Sequence, residues 1–242
     1  MTARLGVLTP SSNTALEPLT SAMAAALPGV TAHFSRFRVT EITLAPGASS
    51  QFDEAPVLAA AELLAHAKVD VIAWSGTAAA WRGFAGDAAL CRAIQARTGI
   101  QATTSVLAMN AALATLGARR LGLVTPYTAD VQARIVANYA SLGFACAAER
   151  HLGLQDNFSF AAVPEETLAG CIRAVASAGV DAVLVLCTNL AAAPLVPALE
   201  RELGVPVLDS VACAVWGALS VAGIDPAGLA HWGRLFQLGA AR

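Results

Sequence analysis

Two kinds of segment alternate along this chain. Short apolar runs, such as Arg4-Leu5-Gly6-Val7-Leu8-Thr9-Pro10 and Val69-Asp70-Val71-Ile72-Ala73-Trp74, are followed by longer stretches in which apolar residues return every three or four positions. The runs are rich in Val, Ile and Leu and suit strands buried on both faces of a parallel sheet. The longer stretches are rich in alanine, the strongest helix former. They predict helices over 54–67, 88–97, 106–116, 129–142, 165–178 and 211–222. Further strands are expected over 31–38 and 144–150.

The pattern repeats. Val69 to Thr77 matches Val180 to Thr188, each opening on Val-Asp and closing on a small residue followed by Thr. Arg4 to Pro10 matches Arg120 to Pro126, and Thr98 to Val106 matches Leu203 to Val211. The offsets drift by a few residues, as they do when loops change length between conserved strands. Strands alternating with helices imply right-handed βαβ units. The chain is therefore read as α/β, with two pseudo-symmetric lobes over 1–117 and 118–225. A C-terminal segment over 226–242 is expected to cross back to the first lobe. Ligands of such sheets bind beyond the carboxyl ends of the strands, so the site belongs in the cleft between the lobes.

Composition narrows the function. A net charge of −2 and a pI near 6.1 leave no basic footprint for nucleic acid or an anionic membrane. No apolar stretch reaches the ~18–20 residues of a membrane span, and the N-terminus does not read as a signal peptide. Five widely spaced cysteines without a Cys-x-x-Cys pair argue against disulfides and zinc. A cytoplasmic protein with reduced thiols is expected, as a monomer or homodimer. The four histidines lack metal-ligand spacing, and no dinucleotide, Walker or Gly-x-Ser-x-Gly motif occurs. Chemistry without metal or cofactor follows.

The two copies differ at one telling position, where Cys187 in the second half corresponds to Gly76 in the first. A thiol at a strand end, close to the next helix N-terminus, is expected to meet backbone N–H donors that favour thiolate. The other four cysteines, Cys91, Cys146, Cys171 and Cys213, read as small apolar residues. Gly76 permits close approach to backbone, or serves a tight turn; Thr77 offers a hydroxyl. Ser12, Thr128 and Asp130 suit helix capping, whereas Asn13 and Tyr127 stand out as polar groups at the cleft. Gln155-Asp156-Asn157 is a polar loop able to cover the cleft. The walls of the pocket are expected from loops such as Thr40 to Asp53.

Pro10-Ser11-Ser12-Asn13-Thr14, Gly76 to Gly83 and Cys187 together resemble the aspartate/glutamate racemase superfamily, across essentially the whole chain. The Pro-Ser-Ser-Asn-Thr loop is similar to that of maleate cis-trans isomerases, whose carboxylate-binding tyrosine and second asparagine fall on Tyr127 and Asn157. The Gly-Thr…Arg-Gly segment is similar to arylmalonate decarboxylases, whose single catalytic cysteine falls on Cys187. Ala78 stands where that family has a serine, and Thr188 and Asn189 stand where it has glycines.

This resemblance implies a cofactor-independent decarboxylase of disubstituted malonic acids, with a small dicarboxylate as substrate. Cys187 would protonate an enediolate, and Asn13, Gly76, Thr77, Ala78, Tyr127, Asn157, Thr188 and Asn189 would form the binding site. Maleate isomerisation, racemisation by a related enzyme, and dicarboxylate binding without turnover are the alternatives. An isomerase or two-base racemase needs a reactive group in the first half, where only Ser75 is near, and an unassisted serine is a poor nucleophile.

Overall fold

The computed structural model describes residues 2–45 and 51–239. Among them, eight strands form two parallel four-stranded sheets. The first contains β1 (Ala3–Pro10), β2 (Val30–Phe37), β3 (Val71–Trp74) and β4 (Ala102–Thr104), in the order β2-β1-β3-β4. The second contains β5 (Arg120–Thr125), β6 (Ala145–His151), β7 (Ala182–Val185) and β8 (Val207–Asp209), in the order β6-β5-β7-β8. Registers correspond as well, since Leu5 lies opposite Val71 as Leu121 lies opposite Ala182. Two pseudo-symmetric α/β lobes result.

The Val-Asp pair that opens each copy has a physical reason. Asp70 accepts a hydrogen bond from the Arg4 backbone N–H at 2.7 Å, and its own N–H donates to the Arg4 carbonyl. Asp181 accepts from the N–H groups of Arg119 and Arg120 and donates to the Arg120 carbonyl. Each carboxylate thus satisfies the start of the neighbouring strand, where the ladder offers no partner.

The helices are α1 (Leu16–Ala25), α2 (Glu54–His66), α3 (Ala79–Arg82), α4 (Ala85–Thr98), α5 (Ser105–Leu116), α6 (Ala129–Ser141), α7 (Glu165–Ala176), α8 (Val196–Leu203) and α9 (Ser210–Val221). The six expected helices are all present, with boundaries shifted by a few residues. Thr104 and Asp209 occupy equivalent places and cap α5 and α9. The Thr104 hydroxyl accepts from the Leu107 N–H, and Asp209 accepts from those of Val211 and Ala212. None of the helices among the described residues is long and apolar enough to cross a membrane.

The element that reaches over to the first lobe is α9. It packs on β3, β4, α1 and α5, and every residue from Ser210 to Leu219 is buried. A helix apolar on all sides is a buried helix. Residues 226–239 form 3₁₀ turns that pack on α8, α9 and β8. Gly228 in this segment approaches Leu27 of the first lobe. Residues 240–242 of that segment lie outside the described residues.

In each sheet the chain steps from the second strand in the order to one edge, then returns on the other side. That reversal opens a crevice at the carboxyl ends of β1 and β3, and again at β5 and β7. The two crevices share one cavity.

Candidate functional site

The cavity is lined from the first lobe by Pro10, Val39, Ile42, Phe52, Trp74, Gly76, Thr77, Ala78 and Trp81, and from the second by Tyr127, Asn157, Cys187 and Thr188. Its volume is about 20 Å³, room for a water molecule and far below the ~300 Å³ of an ordinary ligand pocket. The sequence-predicted residues Gly76, Thr77, Ala78, Tyr127, Asn157, Cys187 and Thr188 meet here. Asn13 and Asn189 are absent from the lining.

Cys187 follows β7 by two residues and is 3% exposed. The N–H of Asn189 donates to its Sγ at 3.4 Å. Burial pushes the thiol up to about 12, against the pull of the Asn189 N–H, the Tyr127 hydroxyl and the Leu190 N–H; the nearby Asp209 pushes it further up. The sequence reading that the following helix would favour thiolate is corrected: a loop and a 3₁₀ turn (Ala193–Leu195) intervene before α8, and desolvation outweighs the few donors present. At neutral pH this sulfur holds its proton.

Opposite the thiol loop, the Thr77 and Tyr127 hydroxyls meet at 2.9 Å in a buried bond between the lobes. Edge contacts with Trp81 and Phe160, at 5.1 and 5.7 Å between ring centres, hold the Tyr127 ring. Burial, and secondly the thiol group of Cys187, raises the Tyr127 phenol well above its ordinary value, so it remains a hydrogen-bond donor. The Thr188 hydroxyl donates to the Ser75 carbonyl at 3.2 Å and accepts from Asn13 Nδ2 at 3.1 Å.

The two asparagines work on the framework. Asn13 Oδ1 accepts from the N–H groups of Ala15 and Leu16, each at 3.0 Å, and so caps α1. Ser12, expected as a cap, donates instead to the Val39 carbonyl at 2.6 Å. Asn189 is fully buried; its Oδ1 accepts from Thr14 and Ala15, and its Nδ2 donates to the Asn157 carbonyl. Asn157 Nδ2 donates to the Ser12 hydroxyl at 2.8 Å. These bonds join the Pro-Ser-Ser-Asn-Thr loop of one lobe to the Cys187 loop of the other.

A short antiparallel bridge closes the top. Glu41 pairs with Asp156, the Ile42 N–H donates to the Gln155 carbonyl and the Asn157 N–H to the Thr40 carbonyl. The expected polar loop and the expected wall loop are therefore partners. Residues 46–50 of the wall loop lie outside the described residues.

Sequence reasoning missed the aromatic wall. Trp74 ends β3, and a Cβ placed on Gly76 would lie 2.1 Å from its Cζ2 atom. The indole thus occupies the seat that a side chain at position 76 would take. Phe37 packs against it at 4.8 Å between ring centres. A signal existed: Trp74 is the counterpart of Val185 in the repeat, and a tryptophan where the copy has a valine needs space on one side.

Paired parallel sheets whose switch points share one cavity, with a thiol on one side and a glycine on the other, define a protein of the aspartate/glutamate racemase-like superfamily. The family profile for arylmalonate decarboxylase matches residues 17–236, and the chain belongs to that family. It is 36% identical over 170 residues to the arylmalonate decarboxylase of Bordetella bronchiseptica, covering 69% of this chain and 71% of that one. Maleate isomerase of Nocardia farcinica is 29% identical over 224 residues, covering 89% and 88%. A crystal structure of maleate isomerase from Pseudomonas putida S16 with maleate superposes with a TM-score of 0.87 at 24% identity, over 98% of each chain, a likeness of fold. These relatives are enzymes, and they divide between decarboxylation and isomerisation.

Proposed function

We propose that this protein is a cofactor-independent decarboxylase of disubstituted malonic acids in which Cys187 is the proton donor. The observation that carries the reading is a buried, protonated thiol lining the same cavity as a glycine whose side-chain position is taken by the Trp74 ring. A proton can come from Cys187, and the first-lobe wall carries no thiol, carboxyl or imidazole among its lining residues. Isomerisation through a nucleophilic cysteine and two-base racemisation both need a reactive side chain at that wall. The Thr77 hydroxyl on that wall is bonded to Tyr127, and Ser75 is fully buried and outside the cavity lining.

One carboxylate of the substrate is held by the hydroxyls of Thr77 and Tyr127 and by backbone N–H groups near Gly76, Ala78 and Thr188. The other lies against the apolar surface of Val39, Ile42 and Phe52, where poor solvation favours its departure. The bond to that carboxylate breaks, carbon dioxide leaves, and the electron pair passes into an enediolate held by the fixed donors. Such donors contribute about 3–4 kcal/mol each in the transition state. The Cys187 proton is then transferred to the carbon, and the thiolate left behind recovers a proton from water. Thiolate is stabilised meanwhile by the Asn189 and Leu190 N–H groups. One face is protonated, so one enantiomer forms. Admission of substrate requires the bridge between residues 40–42 and 155–157 to open.

The test is incubation of the purified protein with alkyl- and arylmalonates, maleate and aspartate, following carbon dioxide release and the optical purity of the acid. Malonate decarboxylation that disappears in Cys187→Ala supports the reading. Maleate turnover without malonate decarboxylation sinks it in favour of isomerisation, and saturable dicarboxylate binding without any turnover sinks it in favour of a binding protein.

A further inference from the structure

A second cavity adjoins the one at Cys187 and shares Phe52, Trp74 and Ala78 with it. It encloses about 450 Å³, within the ~300–1,000 Å³ range of small-molecule pockets. Phe37, Phe52, Val57, Trp74 and Leu90 give it apolar walls. Two charged residues that the reaction at Cys187 does not use, Arg82 and Asp87, also line it from either side of Gly83. Asp87 is 5% exposed; its Oδ2 accepts from the Thr104 hydroxyl, and Oδ1 takes no hydrogen bond among the described residues. Burial raises its carboxyl to about 6 against the pull of Thr104 and Arg82, so the charged form prevails at neutral pH. Arg82 donates to the Phe52 carbonyl at 3.3 Å, and its guanidinium stands 5.3 Å from the centre of the Phe52 ring. Neither residue joins an ion pair among the described residues. A buried carboxylate is ordinarily paired. Here its opposite charge shares the cavity and stays beyond ion-pair distance.

We propose that this second cavity is a binding site for a free amino acid with an aromatic side chain, its ammonium on Asp87 and its carboxylate on Arg82. The site stands whichever reaction the neighbouring cavity carries. A zwitterion brings one charge for each of the two unpaired groups. Arg82 has a planar fork of N–H donors suited to a carboxylate, and only one donor is taken, by the Phe52 carbonyl. An ammonium supplies the donors that Asp87 Oδ1 lacks. The aromatic side chain packs on the rings of the wall, a contact that adds to the burial of its area. The other two acids of the lining, Asp53 and Glu54, are exposed and open α2, where acids answer the helix dipole. They disfavour a plain anion. A plain amine, in turn, leaves the guanidinium unanswered.

The experiment is calorimetry with L- and D-phenylalanine, 2-phenylethylamine and 3-phenylpropanoate, three ligand types that share one body and differ in charge. The proteins are the wild type, Arg82→Gln, Asp87→Asn and, as a change in the neighbouring cavity, Tyr127→Phe. Asp87→Asn keeps an oxygen for the Thr104 hydroxyl and Arg82→Gln a donor for the Phe52 carbonyl, so both should fold; circular dichroism checks this. At least one phenylalanine enantiomer is expected to bind the wild type about ten-fold or more tighter than the amine or the acid. Removing either charge should weaken that binding by about ten-fold or more, and Tyr127→Phe should leave it unchanged. Absence of saturable phenylalanine binding at millimolar concentration overturns the proposal, as does an analogue that binds the wild type as tightly as phenylalanine. Those two outcomes need no variant. Binding that either charge-removing variant leaves unchanged also overturns it, and so does binding lost in Tyr127→Phe, which would put the ligand beside Cys187.

Discussion

The hydroxyls of Thr77 and Tyr127 form a hydrogen bond of 2.9 Å that joins the two lobes across the floor of the cavity. Each comes from the loop after a central strand, β3 in one case and β5 in the other. Both residues are buried, so the pairing satisfies groups that water does not reach.

Tyr127→Phe should leave the fold nearly intact, because the ring stays held by Trp81 and Phe160, at a cost of about 1–3 kcal/mol for the unpartnered Thr77 hydroxyl. Turnover of malonates should fall about 10²-fold, with kcat affected more than KM, as for the loss of an oxyanion donor. A variant with unchanged kcat would remove Tyr127 from the carboxylate site.

Cys187→Ala should lower kcat by about 10²–10⁴-fold, the range of a lost general acid, while dicarboxylate binding persists. Because burial holds the thiol protonated up to about 12, Cys187 in the wild type should resist iodoacetamide at neutral pH; mass spectrometry of the labelled protein reads this. Rapid alkylation at Cys187 would point to a thiolate and to nucleophilic chemistry.

Gly76→Cys alone should not turn the protein into a racemase. The new Cβ would stand 2.1 Å from the Trp74 ring, so the ring must move before a second thiol can face the substrate. Gly76→Cys combined with Trp74→Ala should erode the optical purity of the product. Chiral chromatography distinguishes the two; racemic product from the single variant would contradict the geometry of the ring.

Asp209 lies fully buried, with one oxygen capping α9 and Oδ2 without a hydrogen-bond partner. Desolvation raises its carboxyl from 3.8 to about 7, only partly offset by the Ala212 and Val211 N–H groups. The folded state therefore binds this proton more tightly than the unfolded chain does. Stability should fall as pH rises from about 4 to about 7 and level off above, by on the order of 4 kcal/mol from this group. Asp87, raised to about 6 by burial, slopes the same way. Asp209→Asn keeps the capping oxygen and should flatten much of that fall in urea denaturation across this pH range. An unchanged slope would mean that the carboxyl is better solvated than its burial implies.

Asn189→Ala should destabilise the protein by about 1–3 kcal/mol, since it leaves the Thr14 N–H and the Asn157 carbonyl without their partner while Ala15 keeps its bond to Asn13. At a temperature where the variant is folded, its KM for a dicarboxylate should stay near that of the wild type. A large KM effect with little loss of stability would return Asn189 to the binding surface.

The two-lobed plan was legible in the sequence because its causes are local. The apolar runs of β1, β3, β5 and β7 and their Val-Asp openings each have a copy, and the Cys187-for-Gly76 exchange stands out only against that copy. The site was less legible where tertiary contacts decide. Asn13 looks like a ligand-binding residue until the N–H groups of Ala15 and Leu16 are seen to take its oxygen. Trp74 looks like an ordinary strand residue until its ring is seen folded over Gly76. The protonation of Cys187 depends on burial by residues distant in the chain, which no spacing rule encodes. Helix α3 is a single turn too short for periodicity to show.

The placement of α9 has a bearing on how the protein is made. The sheet of β1 to β4 is synthesised first, yet the helix that covers β3 and β4 follows only after all the strands of the second lobe. Until that helix leaves the ribosome, an apolar surface of the early half stays bare, exposed to aggregation or to chaperones. A gene cut between the halves would yield two sticky fragments in place of two independent modules.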